Sequence, residues 1–351
     1  MRNLLRYSLL FFAVTACESQ KPAAIGGDNE IVVFADSANW SVMEETVRSV
    51  FERTFRTPQI ESEFHVKHIP LSVFRSYKLH KFILFIGTLE GTDDVSENVR
   101  NMLGESAAAA VWAGTHYLFT RDDEWSRGQK LMILTSNDIT DLRQKVITDA
   151  EKIFTVADAH KTRLVSEFMY RTAAPIEDKA LQNDLFRKYG WFLRIHPDFK
   201  LMEQNEDSNY VRFHSLSHHS SLQKWISVNW MDSASDSQLT TEWLKACRVR
   251  LGRWFVDPVV PIDDFDRFYV GDVNGRRALV YRGLWKTVSL QNAFGGAFRT
   301  YGFYEPEQKR LYVIDQAVFF PEQSNKLVYL REMDVITQTF SVVNPNLDAA
   351  P

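Results

Sequence analysis

Cysteine is almost missing from this sequence: Cys17 and Cys247 are the only two among 351 residues. No Cys-x-x-Cys occurs, which excludes a dithiol redox motif and a cysteine-rich zinc site. Also missing are Gly-x-Ser-x-Gly, His-Glu-x-x-His and a glycine-rich phosphate loop. Those patterns would announce a hydrolase elbow, a zinc protease or a nucleotide site. Positive charge is not in excess: 41 Lys and Arg stand against 45 Asp and Glu. That balance argues against nucleic acid as a partner. Past the first 16 residues no run approaches the apolar length that crosses a bilayer. No repeat of solenoid period is present.

What is there begins at the amino end. Arg2 and Arg6 give a positive start, and Leu9 to Val14 form a short apolar core. Val14-Thr15-Ala16-Cys17 then sets small residues before a cysteine. This is the order of a secretory signal, and a cysteine at the cut points to lipoprotein processing. The expectation is that residues 1–16 are removed and Cys17 carries the lipid. Burial of acyl chains contributes about 0.8 kcal/mol per methylene. Glu18 to Asn29 reads as a tether with a reach of at most about 40 Å. Glutamate, not aspartate, follows Cys17, which favours the outer membrane, facing the periplasm. Loss of Arg2 and Arg6 leaves 39 basic against 45 acidic residues. With Cys17 lipidated no intramolecular disulfide can form. Stability must then come from the core, for which a hydrophobic content of 45% is ample.

The patterning predicts an α+β chain: an alternating α/β first half, and an antiparallel sheet with covering helices in the second. The expected divisions are 1–16 signal, 17–29 lipidated terminus and tether, 30–172 first lobe, 173–343 second lobe and 344–351 tail. Ile31 to Ala35, Phe64 to His68, Phe82 to Ile86, His116 to Thr120 and Leu131 to Leu134 read as strands. Ser41 with Glu44 marks a helix start, Ser96 to Ala110 is helical, and Asp138 to Tyr170 is helical in more than one piece. After a helix near Ala180 to Lys188 strands dominate, beginning with Trp191 to Ile195. Thr240 to Leu251 is a helix. Cys247 within it reads as a small buried apolar residue. Asn274-Gly275 is the strongest hairpin signal, with positive φ expected at both positions. Lys326 to Phe340 closes as an amphipathic helix.

The run FHVKHIPLSVFRSYKLHKFILFI, then YRGLW, FGGAF and RLYVIDQAVFFPEQSNK with the closing helix resemble an envelope lipoprotein family of Bacteroidetes-type bacteria, the domain of unknown function DUF4837. The resemblance runs from about Glu30 to Val343. It departs at Ala297, where the family implies proline, and at HSLSHHSS. It implies an address and a fold but supplies no catalytic residue.

His214, His218 and His219 could share a metal, but they lie among serines between strands, and a solvated loop is the simpler reading. His65 and His68 fall on opposite faces of a strand. Asp263, Asp264 and Asp266 lack the glycine turn and distal glutamate of a calcium loop. Ser221 and Lys224 have the Ser-x-x-Lys spacing, but they lead into a strand and no Lys-Thr-Gly follows. Gly295-Gly296 reads as a tight turn. Trp40, Trp112 and Trp125 lie among polar or small residues and are candidate binding aromatics. No cofactor and no metal site is expected.

Arg282 and Asp315 each sit alone on an otherwise apolar strand face. A buried pairing between them is expected, with Glu332 as the second choice for Arg282, and with a structural rather than functional role. The function expected from all this is a non-enzymatic envelope binding or assembly module. Its partners would be the membrane, through Cys17, and an envelope protein or glycan. The competing reading is a hydrolase of cell-wall or glycan material, which needs a cleft with paired carboxylates or a Ser or His group with a base in reach.

Overall fold

The computed structural model describes residues 21–171, 177–217, 219–255, 257–289 and 294–346. Residues 1–16, Cys17 and His218 lie outside them. The chain is α+β.

The first lobe contains β1 (Glu30–Ala35), α1 (Ser37–Phe51), β2 (Thr54–Arg56), β3 (Ile60–Ser62), β4 (His65–His68), α2 (Phe74–Tyr77), β5 (Phe82–Thr88), α3 (Asp94–Trp112), β6 (Leu118–Asp122), β7 (Lys130–Ser136), α4 (Ile139–Thr148) and α5 (Ala150–Arg171). Its sheet has the order β4-β1-β5-β7-β6. Only β6 runs antiparallel to its neighbour. The central strand β5 is buried along its whole length. A parallel strand covered on both faces needs just such a continuous apolar run. Helices α1, α4 and α5 pack on one face and α3 on the other. The sequence places the first helix start at Ser41. It begins four residues earlier because the Asp36 carboxylate accepts from Ala38 N at 2.8 Å and caps it.

The second lobe contains α6 (Lys179–Tyr189), β8 (Lys200–Asn205), β9 (Tyr210–Leu216), β10 (Gln223–Met231), α7 (Thr241–Gly252), β11 (Val259–Pro261), β12 (Arg267–Val273), β13 (Arg276–Thr287), β14 (Gly295–Glu305), β15 (Arg310–Phe319) and α8 (Leu327–Thr337). Its antiparallel sheet has the order β11-β13-β14-β15-β10-β9-β8, with β12 also on β13. Asn274 and Gly275 join β12 to β13 with φ of 48° and 80°, the positive pair that a two-residue hairpin turn requires. Trp191 to Ile195 is not a strand. Phe192 makes one bridge to Ser341, and Trp191 is packed into the core. Gly295-Gly296 opens β14 and is not a turn.

The sheet's two faces have different covers. Val280, Leu284, Tyr301, Ile314 and Ile226 face α8, while Tyr281, Trp285, Phe298, Val313 and Ala317 face α7. The β2–β3 hairpin, which sequence reading passed over, reaches from the first lobe to the second. Phe55 joins the second lobe's core. The Glu61 carboxylate accepts from Lys326 N at 2.9 Å and Leu327 N at 2.8 Å, supplying the cap that α8 lacks in its own sequence. Arg331 on α8 donates to Glu63 at 2.9 Å, Asp158 at 2.5 Å and Thr162 at 3.1 Å, all in the first lobe.

The expected Arg282–Asp315 pair does not form. Arg282 stands opposite Arg299, which stands opposite Gln316, whereas Asp315 stands opposite Thr300. Strand neighbours point to opposite faces, so Arg282 and Asp315 lie on opposite sides of the sheet. Asp315 meets fully buried Arg248 of α7 at 3.2 Å and accepts from the Thr300 hydroxyl at 2.6 Å. Glu332 pairs with Lys224 at 2.8 Å, not with Arg282.

Candidate functional site

On the α7 face a cavity of about 240 Å³ opens between the sheet and the chain that follows α7. Its size exceeds the ~150 Å³ cavity that holds benzene and falls just short of drug-sized pockets. It fits one or two fused rings with a short substituent. Its walls are aromatic, and the strand register explains how they assemble. His214 on β9 lies directly opposite Trp225 on β10, and their rings stack at 5.1 Å and 4°. Trp225 meets Phe255 edge-on at 5.5 Å and Trp285 at 6.2 Å. Phe319 of β15 lies 5.4 Å from Phe294.

Gly296 allows this arrangement. A Cβ there would lie 2.0 Å from Val318 O, 2.9 Å from Trp285 Nε1 and 3.0 Å from Cε2, so only glycine lets the chain pass Val318 and leaves room for the indole. The indole N–H donates to Ala297 O at 3.2 Å.

Two polar groups enter this apolar wall. Arg212 and His214 are two apart on β9 and therefore share a face. Arg212 is buried. It donates to Trp254 O at 3.0 Å and Leu251 O at 3.4 Å, and lies 3.5 Å from Glu203. Among the described residues, its Nε has no hydrogen-bond partner, and neither does buried His214 Nε2. Burial lowers the His214 pKa below the usual value. The Gln223 side chain opposes this, and the Arg212 charge reinforces it. The ring is therefore neutral near neutral pH. Beneath this site, burial raises the Asp315 carboxyl above its ordinary range, with Arg248 and Thr300 acting against it.

The other sequence candidates disperse. Trp40 is buried and stacks on His68 at 4.7 Å, while Trp125 packs on Phe74 at 5.2 Å. Trp112 is half exposed on the first lobe, far from the pocket in the fold. His65 is exposed, and His219 sits in the loop after β9. Lys245 bridges Asp263 at 2.8 Å and Asp266 at 2.5 Å, which accounts for that acidic loop. Lys224 is engaged by Glu332 rather than by Ser221. Cys247 is buried, and burial pushes its thiol up to about 11. Among the described residues, no group of three His, Cys, Asp or Glu could hold a metal ion. No helix among them is long and apolar enough to cross a membrane. The sequence offered His214 only as a metal candidate in a solvated loop; it lies on β9, stacked on Trp225. Arg212, Trp225, Phe255, Trp285 and Phe319 come from four strands and a loop, and only the sheet register brings them together.

The fold and this cavity define a two-lobed α+β protein with a ring-sized aromatic pocket in its second lobe. Residues 178–339 match the family described as Domain of unknown function (DUF4837). The resemblance seen in the sequence therefore holds for the second lobe. Its extension to the first lobe is corrected, since residues 24–169 match a different domain of unknown function, DUF8532. No curated protein matches the chain. Among solved structures, the Ran-binding protein Mog1p of Saccharomyces cerevisiae is 12% identical with a TM-score of 0.30, over 45% of this chain and 93% of that one. LpqN of Mycobacterium tuberculosis, described as involved in cell envelope biogenesis, is 10% identical with a TM-score of 0.27, over 43% and 82%. A STAR-related lipid transfer protein from Xanthomonas axonopodis is 11% identical with a TM-score of 0.21, over 40% and 92%. Likenesses this weak carry no argument.

Proposed function

We propose that this chain is a lipid-anchored envelope protein that binds rather than catalyses, and that its second-lobe pocket seats a planar, largely apolar group bearing a hydrogen-bonding oxygen. The observation that carries this reading is an aromatic cavity whose lining includes two polar side chains, Arg212 and His214. The Trp and Phe walls bury a ligand's ring, and a ligand oxygen meets the Arg212 and His214 side chains at the wall. The hydrolase alternative needs paired carboxylates or an activated nucleophile, and among the described residues the cavity lining holds one carboxylate, Asp257.

The test is a titration of the purified protein with benzoate and with toluene, read by Trp225 and Trp285 fluorescence. We expect saturable quenching, stronger for benzoate, and weakened about tenfold by His214→Phe, which keeps the stack and removes the nitrogen. Equal binding by that variant, or no saturation with either compound, would overturn the assignment. The anchor is tested separately. Cys17→Ser should move the protein out of the membrane fraction, and continued fractionation with lipoproteins would count against lipidation. The proposed site of action is the periplasmic face of the outer membrane.

A further inference from the structure

The opposite face of the same sheet carries a second feature, at the junction of the lobes. Arg267, Arg282 and Arg299 are directly opposite one another on β12, β13 and β14, so three guanidinium groups form one cross-strand row. Like charges in that relation repel. Arg299 is answered by Asp334, which also accepts from the Tyr301 hydroxyl at 2.7 Å. Arg267 donates to the Asp266 carbonyl at 2.7 Å.

Arg282 has no ion pair and no hydrogen bond among the described residues. Its guanidinium lies 4.6 Å from the Phe55 ring and 5.6 Å from the Tyr269 ring. Cation–π contact leaves a guanidinium's charge and its five donors unanswered. Two cavities meet at this side chain, of about 1120 and 360 Å³. The larger also reaches Arg299 and Arg331, both nine-tenths buried, each with a buried Nε that has no hydrogen-bond partner among the described residues.

The surrounding carboxylates do not balance this charge. Glu63 is shared by Arg331 and Lys161, Asp158 is taken by Arg331, and Asp334 by Arg299. At the rim Arg53 is paired with Glu151, and Arg163 with Glu167. Asp272 accepts from Gly275 N within its own hairpin and keeps its charge. Arg56 and Asp264 add one charge of each sign to the smaller cavity. What is left over is one net positive charge, from Arg282 and Arg267 against Asp272.

We propose that this inter-lobe cleft binds a phosphate group, held by Arg282 and Arg267 with the buried charges of Arg299 and Arg331 behind it. Guanidinium forks match phosphate oxygens in charge and in paired geometry. The group would belong to a soluble phosphoester or to a phospholipid head.

The test uses the mature chain from Glu18 onward. Isothermal titration with inorganic phosphate, against chloride at equal ionic strength, should show saturable binding. Arg282→Met should weaken it by about tenfold or more, the scale of one charge-assisted contact. The same variant should melt no lower than the parent without phosphate, because the residue makes no polar contact and its removal relieves repulsion. Arg267→Met makes the same comparison should Arg282→Met fail to fold. Flotation on phosphatidylglycerol vesicles, against phosphatidylcholine, distinguishes the sources: arginine-dependent flotation indicates a lipid head, and phosphate binding without flotation a soluble phosphoester. Absence of both phosphate heat and selective flotation, or unchanged phosphate binding in both arginine variants, would overturn the proposal.

Discussion

Glu63→Gln tests how the lobes are held together. Burial alone would raise the Glu63 carboxyl. The charges of Arg331, Lys161 and Arg299 overcome that and hold it at about 2, against an ordinary 4.5. A carboxyl depressed on folding stabilises the folded state at pH above its unfolded value. That stability is lost as pH falls from 4.5 toward 2. A fall of this size is worth roughly 3 kcal/mol, and because the group is buried, solvent screening takes little from it. Glutamine keeps the shape and one acceptor but removes the charge. Arg331 then retains Asp158 and Thr162, while Lys161 retains the Glu63 carbonyl at 2.7 Å. Urea unfolding at neutral pH should show the variant destabilised by about 3 kcal/mol. Repeated at stepwise lower pH, the difference should shrink, because the parent loses what the variant never had. Parallel acid limbs for the two proteins, or equal stability at neutral pH, would refute the argument that this carboxylate staples the lobes.

Three further outcomes follow from the sheet. Arg248→Leu should cost about 3–5 kcal/mol by stranding Asp315, and adding Asp315→Leu should return much of it, as a double-mutant cycle in urea would show. Gly275→Ala should cost about 1–2 kcal/mol in thermal unfolding, from left-handed backbone strain alone, since a Cβ there meets nothing within 4 Å. Gly296→Ala drives a Cβ against the Val318 carbonyl and the Trp285 indole, so it should move the β14 backbone, shift the indole's fluorescence and lower benzoate affinity, at a stability cost of about 3 kcal/mol or more.

Much of the architecture was legible because the signals are local. The buried run of β5, the helix over residues 94–112 and the Asn274-Gly275 turn each need only their own neighbours to declare themselves. What failed was non-local. The three-residue strands β2 and β3 carry too short a pattern to read, and their value lies in Phe55 and Glu61, whose partners are some 200 or more residues away. Trp191 to Ile195 looks like a strand because it is apolar, yet a core segment without a ladder has the same composition.

The Arg282–Asp315 error shows what local reading cannot supply. Each strand's period was right: Arg282 does share a face with Val280 and Leu284, and Asp315 with Val313 and Ala317. Period two leaves open which face is which, and only the register between strands decides it. That one choice of parity sorts the chemistry of the lobe. It sends Asp315, Trp285, Trp225, Arg212 and His214 to the α7 side, where they build the ring-sized pocket over a buried ion pair. It sends Arg267, Arg282, Arg299 and Lys224 to the other side, against α8 and the first lobe. A one-residue slip of β13 would exchange Trp285 for Leu284 in the pocket and move Arg282 out of the junction. The Asn274-Gly275 turn fixes the β12–β13 register, and Asn274 Nδ2 ties that turn to Phe340 O at 2.9 Å. Pocket and cleft are therefore alternate outputs of one sheet, and the residues that lock its register control both.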